Sequence, residues 1–395
     1  MDSNLQFFAK PRSAYVHVPF CSRRCGYCDF TLIADRDDLI SEYLVALERE
    51  IESERKKWDR EQNQQAATSR ADGLETLFLG GGTPTHPSCE QLQKLFQIIH
   101  QRFQILPGAE VSVEANPLDL TQEKIGLLAD SGVNRISLGV QSFSPQSLRL
   151  LERDHSPDDI DDVMLRLRER FENISIDLIF GVPGQSLDGW KSSLRRAIGL
   201  GVTHMSIYGL TWEPGTSFWT RRGRGEMQPI DEGLERDQYA LAIEYLCDGG
   251  LEHYEISNFA RPGFHCRHNE AYWIGDSYWA YGPGAARYVN GSRETNIRSV
   301  LGWLKRIKTG ESPVAETETL EPVHRAKELL FLGLRRIQGI SRAEFQRRCG
   351  FPMDQIAQTA IRENVARGWL DDDHAGIRLT REGLFMADRV AADFL

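Results

Sequence analysis

The stretch Tyr15–Phe30, YVHVPFCSRRCGYCDF, carries three cysteines at the spacing CxxxCxxC directly after a short β-branched run. Cysteine thiolates at such short spacings are typical ligands of iron–sulfur clusters, and three of them leave one iron of a [4Fe–4S] cube open. Structural zinc and unligated cysteines are the alternatives, but a zinc site needs four ligands and no fourth Cys or His lies at a matching distance. We therefore predict that Cys21, Cys25 and Cys28 hold a [4Fe–4S] cluster.

Six short runs rich in β-branched and aromatic residues alternate with segments whose apolar residues recur every three to four positions. The runs span residues 14–18, 76–79, 110–114, 135–140, 174–180 and 203–209, and the periodic segments span 39–51, 92–103 and 160–171. This alternation favours parallel βαβ units, in a barrel or an open sheet. The polar segment 54–73 interrupts the pattern and is expected to form a solvated helix end and loop.

Unusual polar residues fall at the carboxyl ends of these predicted strands, where ligands gather in parallel α/β folds. The run 80–84, GGGTP, follows the second strand; its glycines let a ligand approach the backbone, and its N–H groups suit a carboxylate. Glu114 ends the third strand, Gln141 follows the fourth, and Asp177 lies inside the apolar fifth. A tight turn or a buried ion pair explains each feature singly, but together with the cysteines they predict a binding site.

The cysteine motif, with an aromatic residue before its third cysteine, resembles the radical S-adenosylmethionine (SAM) superfamily. The resemblance implies an α/β fold, a partial (β/α)6 radical SAM barrel, with SAM chelated to the open iron and cleaved by one electron to a 5′-deoxyadenosyl radical. Over its whole length the chain is similar to the oxygen-independent coproporphyrinogen III oxidase group. That similarity implies SAM contacts from Tyr15, Gly81, Gly82, Thr83, Glu114, Gln141, Arg153 and Asp177.

Position 30 distinguishes two branches of that group. The dehydrogenases resemble CxxxCxxCxC and carry a longer N-terminal extension, whereas here position 30 is Phe30 and 20 residues precede Cys21. The chain thus resembles the HemW branch, regarded as heme chaperones, which implies heme, a heme-acceptor protein such as a respiratory enzyme, and an electron donor for the cluster. Two alternatives stay open: a coproporphyrinogen III dehydrogenase of porphyrin biosynthesis, and a radical SAM enzyme that modifies RNA.

A second motif, HNxxYW at 268–273, is linked in that branch to heme binding. Its candidate heme contacts are Cys266, His268, Tyr272 and Trp273, since heme iron accepts such axial ligands and the macrocycle packs against aromatic rings. The alternatives are ordinary packing of an aromatic loop and a zinc site at His265, Cys266 and His268.

The length and composition of the chain limit the number of domains that it can form. The 395 residues, 41% of them hydrophobic, suffice for two or three domains. We expect a partial barrel over 1–210, an aromatic-rich lid over 211–315, and a helical, winged-helix-like domain over 316–395.

The net charge of −10 argues against nucleic acid as a partner, and the basic excess over 324–348 is interpreted as a solvated face. Without an 18-residue apolar run or a secretory segment over 1–12, we expect a soluble, cytoplasmic protein that contacts membranes only through its acceptor.

Overall fold

The computed structural model describes residues 10–62 and 73–395. The strands within these residues are β1 Ser13–Val18, β2 Phe20–Cys21, β3 Ile33–Ala34, β4 Leu74–Gly81, β5 Ile105–Ala115, β6 Arg135–Gln141, β7 Asn173–Phe180, β8 His204–Gly209, β9 Glu252–Glu255, β10 Asn258–Ala260, β11 Tyr278–Tyr281, β12 Ala286–Val289, β13 Ser292–Asn296, β14 Val314–Thr319, β15 Ile340–Ser341, β16 Leu370–Asp372 and β17 Gly376–Leu379.

The helices within the same residues are α1 Ile40–Gln62, α2 Cys89–Arg102, α3 Gln122–Asp130, α4 Pro145–Leu150, α5 Pro157–Arg168, α6 Leu187–Gly199, α7 Ser217–Gly223, α8 Glu232–Asp248, α9 Arg267–Trp273, α10 Val300–Thr309, α11 Pro322–Gly333, α12 Arg342–Cys349, α13 Met353–Ala366, α14 Arg381–Leu384 and α15 Ala387–Ala392. No helix among these residues is long and apolar enough to cross a membrane.

Six parallel strands, in the order β1, β4, β5, β6, β7, β8, form the partial barrel that the sequence predicts. Successive side chains along a strand point to opposite faces. In β5, Val111 and Val113 join the apolar core, whereas Glu110 and Glu114 lie on the other face, inside the barrel. Apolar residues therefore hold the strands against the surrounding helices, and the interior of the barrel holds polar residues together with aromatic rings such as Phe78.

Serine caps fix where several of the covering helices begin. The Ser88 hydroxyl accepts a hydrogen bond from the backbone of Gln91 at the start of α2, and Ser156 and Ser186 cap α5 and α6 in the same way. Such caps satisfy N–H groups that the first turn of a helix leaves free. They set the lengths of the loops that follow the strands, and these loops carry much of the site.

The segment predicted as a lid over 211–315 contributes strands to the same sheet. β10 and β9 add antiparallel strands beyond β8, while β11 pairs parallel to β1 and is followed by β12, β13 and β14. An open barrel leaves unpaired N–H and C=O groups at both edges, and these strands satisfy them. The part around α7 covers the cysteine loop, where the Phe218 N–H donates to the Gly26 carbonyl at 2.8 Å. The domain boundaries at 210 and 315 stay a prediction.

The polar segment 54–73 is only partly described, and two of its first residues, Glu54 and Trp58, are buried while those between them are exposed. Glu54 pairs with Arg287 at 2.9 Å, and the Trp58 ring packs edge-to-face on Trp279 with centroids 5.4 Å apart. The expectation of a solvated helix end therefore fits the face of α1 that carries Arg55, Lys56, Lys57, Asp59 and Arg60, whereas β11 and β12 cover the face of Glu54 and Trp58. Residues 63–72 lie outside the described residues, as does most of the segment 1–12.

The C-terminal part forms the predicted helices followed by a hairpin. α11, α12 and α13 surround a separate apolar core that includes Leu330, Phe345 and Met353, and β16 and β17 pair antiparallel beside β15. This arrangement confirms the expected helical, winged-helix-like domain.

Candidate functional site

One cavity of about 450 Å³ opens at the carboxyl ends of the barrel strands. Its lining includes the three motif cysteines and seven of the eight residues predicted to contact SAM: Cys21, Cys25, Cys28, Gly81, Gly82, Thr83, Glu114, Gln141, Arg153 and Asp177. The volume lies within the range of cavities that hold small molecules. The structure therefore brings together residues that are spread over more than 150 positions of the sequence.

Tyr15, the eighth predicted contact, lies half-buried in β1 beside this cavity. Burial lowers the pKa of His17 to about 4, so its imidazole is neutral. Its Nε2–H donates to the Thr31 carbonyl at 2.6 Å, which leaves Nδ1 to accept from the Tyr15 hydroxyl at 3.0 Å. Tyr15 is thus fixed relative to the loop that follows the cysteines.

The three cysteine thiols share one wall of the cavity. Cys21 Sγ lies 3.2 Å from Thr83 Oγ1, and Arg153 Nη1 lies 3.9 Å from Cys25 Sγ. Burial raises the pKa of Cys21 to about 12, so this thiol keeps its proton until a metal displaces it. Within the described residues no three His, Cys, Asp or Glu side chains converge on a single-ion site. Three cysteine thiols from one short loop are the donor set with which a [4Fe–4S] cluster keeps one iron open.

The sequence predicts that the N–H groups of the glycine loop receive a ligand carboxylate, but in the structure these groups donate to other parts of the protein. Gly81 N–H donates to Glu114 Oε2 at 3.0 Å, and the N–H groups of Gly82 and Thr83 donate to backbone carbonyls of residues 18 and 20, at 2.9 and 2.8 Å. A Cβ atom at Gly82 would approach that backbone to 2.8 Å. The glycines therefore allow close contact with the cysteine strand, and the prediction of free donors at these positions is wrong.

Two half-buried carboxyl groups, Glu114 and Asp177, line the cavity beside the cysteines. Burial, followed by the neighbouring Asp177, raises the pKa of Glu114 to about 7, and burial also raises the pKa of Asp177. Ser137 donates to Asp177 Oδ1 at 3.2 Å. A ligand that brings positive charge and hydroxyl donors would compensate these acids, and the sulfonium, ammonium and ribose groups of SAM have that chemistry.

Two residues at the cavity adopt left-handed backbone conformations that non-glycine residues seldom take. Gln141 has a φ of 63° at the end of β6, and Glu152 has a φ of 56°. Arg153, next to Glu152, donates through Nη2 to the Gly139 carbonyl at 3.0 Å. Backbone strain of this kind concentrates at functional sites, and here it turns Gln141 and the 152–153 segment toward the cavity.

Sequence reasoning missed Glu152 and Tyr208 among the cavity residues. Tyr208 lies near the carboxyl end of β8, so the strand-end argument would have found it if extended to the sixth strand. Glu152 follows a short helix and lies on no strand, and nothing in its local sequence marks it.

The HNxxYW motif lies toward the opposite, amino end of the barrel. Cys266 precedes α9, and Glu110 of β5 accepts hydrogen bonds from the His268 N–H at 3.1 Å and from the Cys266 thiol at 3.6 Å. The His268 ring shares hydrogen bonds with Thr76 Oγ1 at 2.8 Å and with the Tyr272 hydroxyl at 2.7 Å. His268 is 1% exposed and Cys266 is fully buried. The predicted heme residues are brought together, but they form a plug inside the barrel.

A row of rings joins this plug to the cavity. The His268 ring stacks on Phe78 with centroids 5.2 Å apart, and Phe78 stacks on Tyr15 at 6.2 Å. Tyr15 in turn contacts His17. The two ends of the barrel are therefore in continuous side-chain contact.

Sequence comparisons agree with this architecture. A radical SAM superfamily model matches residues 15–197, and a HemN C-terminal domain model matches residues 320–386. Heme chaperone HemW of Bacillus subtilis is 35% identical over 388 residues, which cover 97% of this chain and 99% of the relative. The chain belongs to the HemW family. As a radical SAM protein it has the cofactors of that superfamily, a [4Fe–4S] cluster and SAM, as the sequence predicts.

Other proteins are also similar to this chain over most of its length. Heme chaperone HemW of Lactococcus lactis is 35% identical, with 98% of each chain covered. The mitochondrial radical S-adenosyl methionine domain-containing protein 1 of Mus musculus is 30% identical, covering 98% of this chain and 88% of the relative. The solved structure of coproporphyrinogen III oxidase (HemN) from Escherichia coli superposes with a TM-score of 0.83 at 21% identity, covering 99% of this chain and 91% of that one. This structural similarity to HemN shows the fold of the chain. It does not show the activity of the chain.

Proposed function

We propose that this HemW-family protein is a heme chaperone, which binds heme and transfers it to an acceptor protein. The observation that carries the proposal is the cysteine-lined cavity, in a chain that matches heme chaperones over nearly its whole length. In this proposal Cys21, Cys25 and Cys28 hold the [4Fe–4S] cluster, and SAM occupies the rest of the cavity exchangeably.

The residues of the cavity have separate tasks in this proposal. Thr83 and Arg153 contact the sulfur atoms of Cys21 and Cys25 and balance the negative charge of thiolates. Glu114 and Asp177 receive the donor groups of SAM. When bound, a reduced cluster supplies the electron that cleaves the sulfonium of SAM.

For heme we propose the contacts Cys266, His268, Tyr272 and Trp273. Both ring nitrogens of His268 are hydrogen-bonded and the ring is buried, so heme reaches this histidine only after α9 moves out of the barrel.

The C-terminal domain holds the far end of α9. Arg348 pairs with Asp276 at 2.7 Å, and Arg325 Nη2 donates to the Gly275 carbonyl at 2.6 Å. The Arg335 guanidinium lies over the Trp273 ring, 4.5 Å from its centroid. Motion of this domain would therefore control access of heme to α9.

Further proposals concern partners and location. We infer a respiratory enzyme as heme acceptor, a one-electron donor for the cluster, and a cytoplasmic protein that contacts membranes only through its acceptor. No disulfide joins any of the seven cysteines, all of which lie in the described residues. Free thiols in this number fit a reducing compartment.

Anaerobic absorption spectra of the cluster-reconstituted protein, with and without heme, test the function. We expect a cluster chromophore and a stoichiometric heme Soret band, with weaker heme binding in His268→Ala and unchanged binding in the control His100→Ala, whose histidine is exposed on α2. Absence of a stoichiometric heme complex would overturn the proposal. Conversion of coproporphyrinogen III to protoporphyrinogen with SAM and reductant would replace it by the dehydrogenase alternative.

A further inference from the structure

Inside the barrel, the guanidinium of Arg135 has fewer partners than its burial requires. Arg135 lies on the same face of β6 as Ser137, whose hydroxyl binds Asp177 within the barrel, and it is 2% exposed. Two of its nitrogen atoms, Nε and Nη1, have no hydrogen-bond partner among the described residues. Water can satisfy such N–H groups, but it does not balance the charge of a group that always stays protonated.

Glu110 is a buried carboxylate on the neighbouring strand, and α9 with the residue before it occupies both of its oxygens. Oε1 accepts from the His268 N–H at 3.1 Å and from the Cys266 thiol at 3.6 Å, and Oε2 accepts from the Arg267 N–H at 3.1 Å. The side chain of Cys266 does not cap the helix. Glu110 therefore provides the acceptor for the first N–H groups of α9, which a helix leaves without internal partners.

The strand register brings Arg135 within reach of Glu110. Arg135 lies opposite Ser112 in the pairing of β5 with β6, and Glu110 precedes Ser112 by two residues on the same face, about 7 Å along the strand. Long side chains bridge such a diagonal separation between neighbouring strands. Burial lowers the pKa of Arg135, but the neighbouring Cys266 and Glu110 raise it, and it lies above its ordinary value.

Two sets of donors therefore compete for one carboxylate. While α9 is inside the barrel, Glu110 binds the helix, and Nε and Nη1 of Arg135 are left without partners. When α9 leaves the barrel, Glu110 loses all three of these donors. A buried carboxylate without hydrogen bonds is costly unless a cation replaces them, and Arg135 supplies both the charge and the unused N–H groups.

We propose that Arg135 is a positioning residue of the heme site, which binds the Glu110 carboxylate when α9 leaves the barrel and thereby stabilises the open arrangement. The inference rests on the proposed function, in which heme reaches His268 only after α9 moves. It assigns a role to Arg135, which lies outside both the cysteine motif and the HNxxYW motif.

Hydrogen exchange of the full-length protein at the amides of 267–276, together with the rate of heme association, tests the proposal. We expect Arg135→Met to slow both roughly tenfold, because the open arrangement loses a charge-assisted pair that the closed arrangement does not make. An arginine that only supports the barrel would give the opposite sign, since its loss would loosen the packing around α9. Unchanged or faster exchange in Arg135→Met would overturn the proposal.

Arg287→Met is the matched control. Arg287, on β12, is also 2% exposed, but it is paired with Glu54 at 2.9 Å. Its loss should lower the free energy of unfolding in urea and should not slow the exchange of 267–276. Slower exchange in this variant too would show that the effect belongs to any buried arginine, and the role given to Arg135 would then be wrong.

Two further variants identify the charge and its partner. Arg135→Lys keeps a cation in the barrel, so exchange should return close to the wild-type rate; a rate as slow as that of Arg135→Met would contradict a role for the charge. In a Glu110→Gln background Arg135 has no carboxylate to gain, so adding Arg135→Met should cause little further change. A full tenfold slowing in that background would exclude Glu110 as the partner.

The outcome also distinguishes this inference from the proposed function. If the wild-type protein binds no heme, the proposed function fails, and the exchange rates still decide whether Arg135 takes over Glu110. If heme binds and Arg135→Met does not slow exchange, only this inference fails. Should Arg135→Met fail to fold, Arg135→Gln, which removes the charge but keeps a polar side chain, decides the question by the same measurement.

Discussion

Gly82 controls how closely the glycine loop approaches the cysteine strand. A Cβ atom there would lie 2.8 to 2.9 Å from backbone atoms of residues 18–20. We expect Gly82→Ala to reduce the iron content after reconstitution and to lower the free energy of unfolding by about 1–3 kcal/mol, because the backbone must shift. Iron analysis and urea unfolding measure both effects.

Gly199 provides the matched control for Gly82. It lies at the end of α6, and a Cβ atom there meets nothing within 4 Å. Gly199→Ala should keep the iron content and leave stability equal or slightly higher, since alanine favours helices. Equal behaviour of the two variants would contradict the role given to Gly82.

The burial of His204 makes the free energy of unfolding depend on pH. It is fully buried, shares 2.8 Å hydrogen bonds with Ser175 and with the Tyr254 hydroxyl, and burial holds its pKa well below the usual 6.5. As the pH falls below 6.5, this histidine takes up a proton in the unfolded chain but not in the folded chain. The free energy of unfolding therefore decreases in acid, by up to about 1.4 kcal/mol per pH unit.

His204→Gln keeps polar contacts to both neighbours and removes this difference in proton uptake. Its free energy of unfolding should therefore change less steeply than that of the wild type between pH 7 and pH 5, on the measured urea curves. Parallel curves would show that His204 does not titrate on unfolding.

At the scale of elements, the six barrel strands were predictable from local pattern. The predicted runs at 14–18 and 174–180 correspond to β1 and β7, because alternation and β-branched residues are properties of adjacent positions. The strands β9 to β14 were not recognised as such. Their stability comes from pairing with the open edges of the barrel, which the sequence of 211–315 does not encode locally.

Helix α9 is the element whose mobility matters most for the proposed heme site. Its last turn is followed by Asp276, which Arg348 of α12 binds at 2.7 Å. We expect Arg348→Met to speed hydrogen exchange of the amides in 267–276 and to accelerate heme association, because one of the contacts that close the site is lost.

Arg378→Met is the control for this helix. Arg378 pairs with Asp371 and Asp373 within the C-terminal hairpin, so its loss should leave α9 exchange unchanged. Faster heme association without faster exchange of α9 would contradict a gate at this helix.

At the scale of the whole molecule, the distribution of charge distinguishes a heme chaperone from an RNA-modifying enzyme. The net charge is −10, and several basic residues of the C-terminal domain are engaged in ion pairs, with Arg336 bound to Glu344 and Arg342 to Asp354 at 3.6 and 2.7 Å. We expect no retention of RNA at moderate salt in a gel-shift measurement, since phosphate binding needs available cations. Salt-sensitive retention would favour an RNA-modifying enzyme.

The sequence alone determined the cysteine motif, the barrel strands and the family, because short spacings and strand periodicity are written in contiguous residues. The tertiary structure decided which groups those residues meet. It placed the N–H groups of the glycine loop on the protein's own acceptors, buried His268 against Thr76 and Tyr272, and brought Arg298 to the cysteine loop. These contacts join distant positions, and the pairing of strands and packing of helices that create them depend on the whole chain.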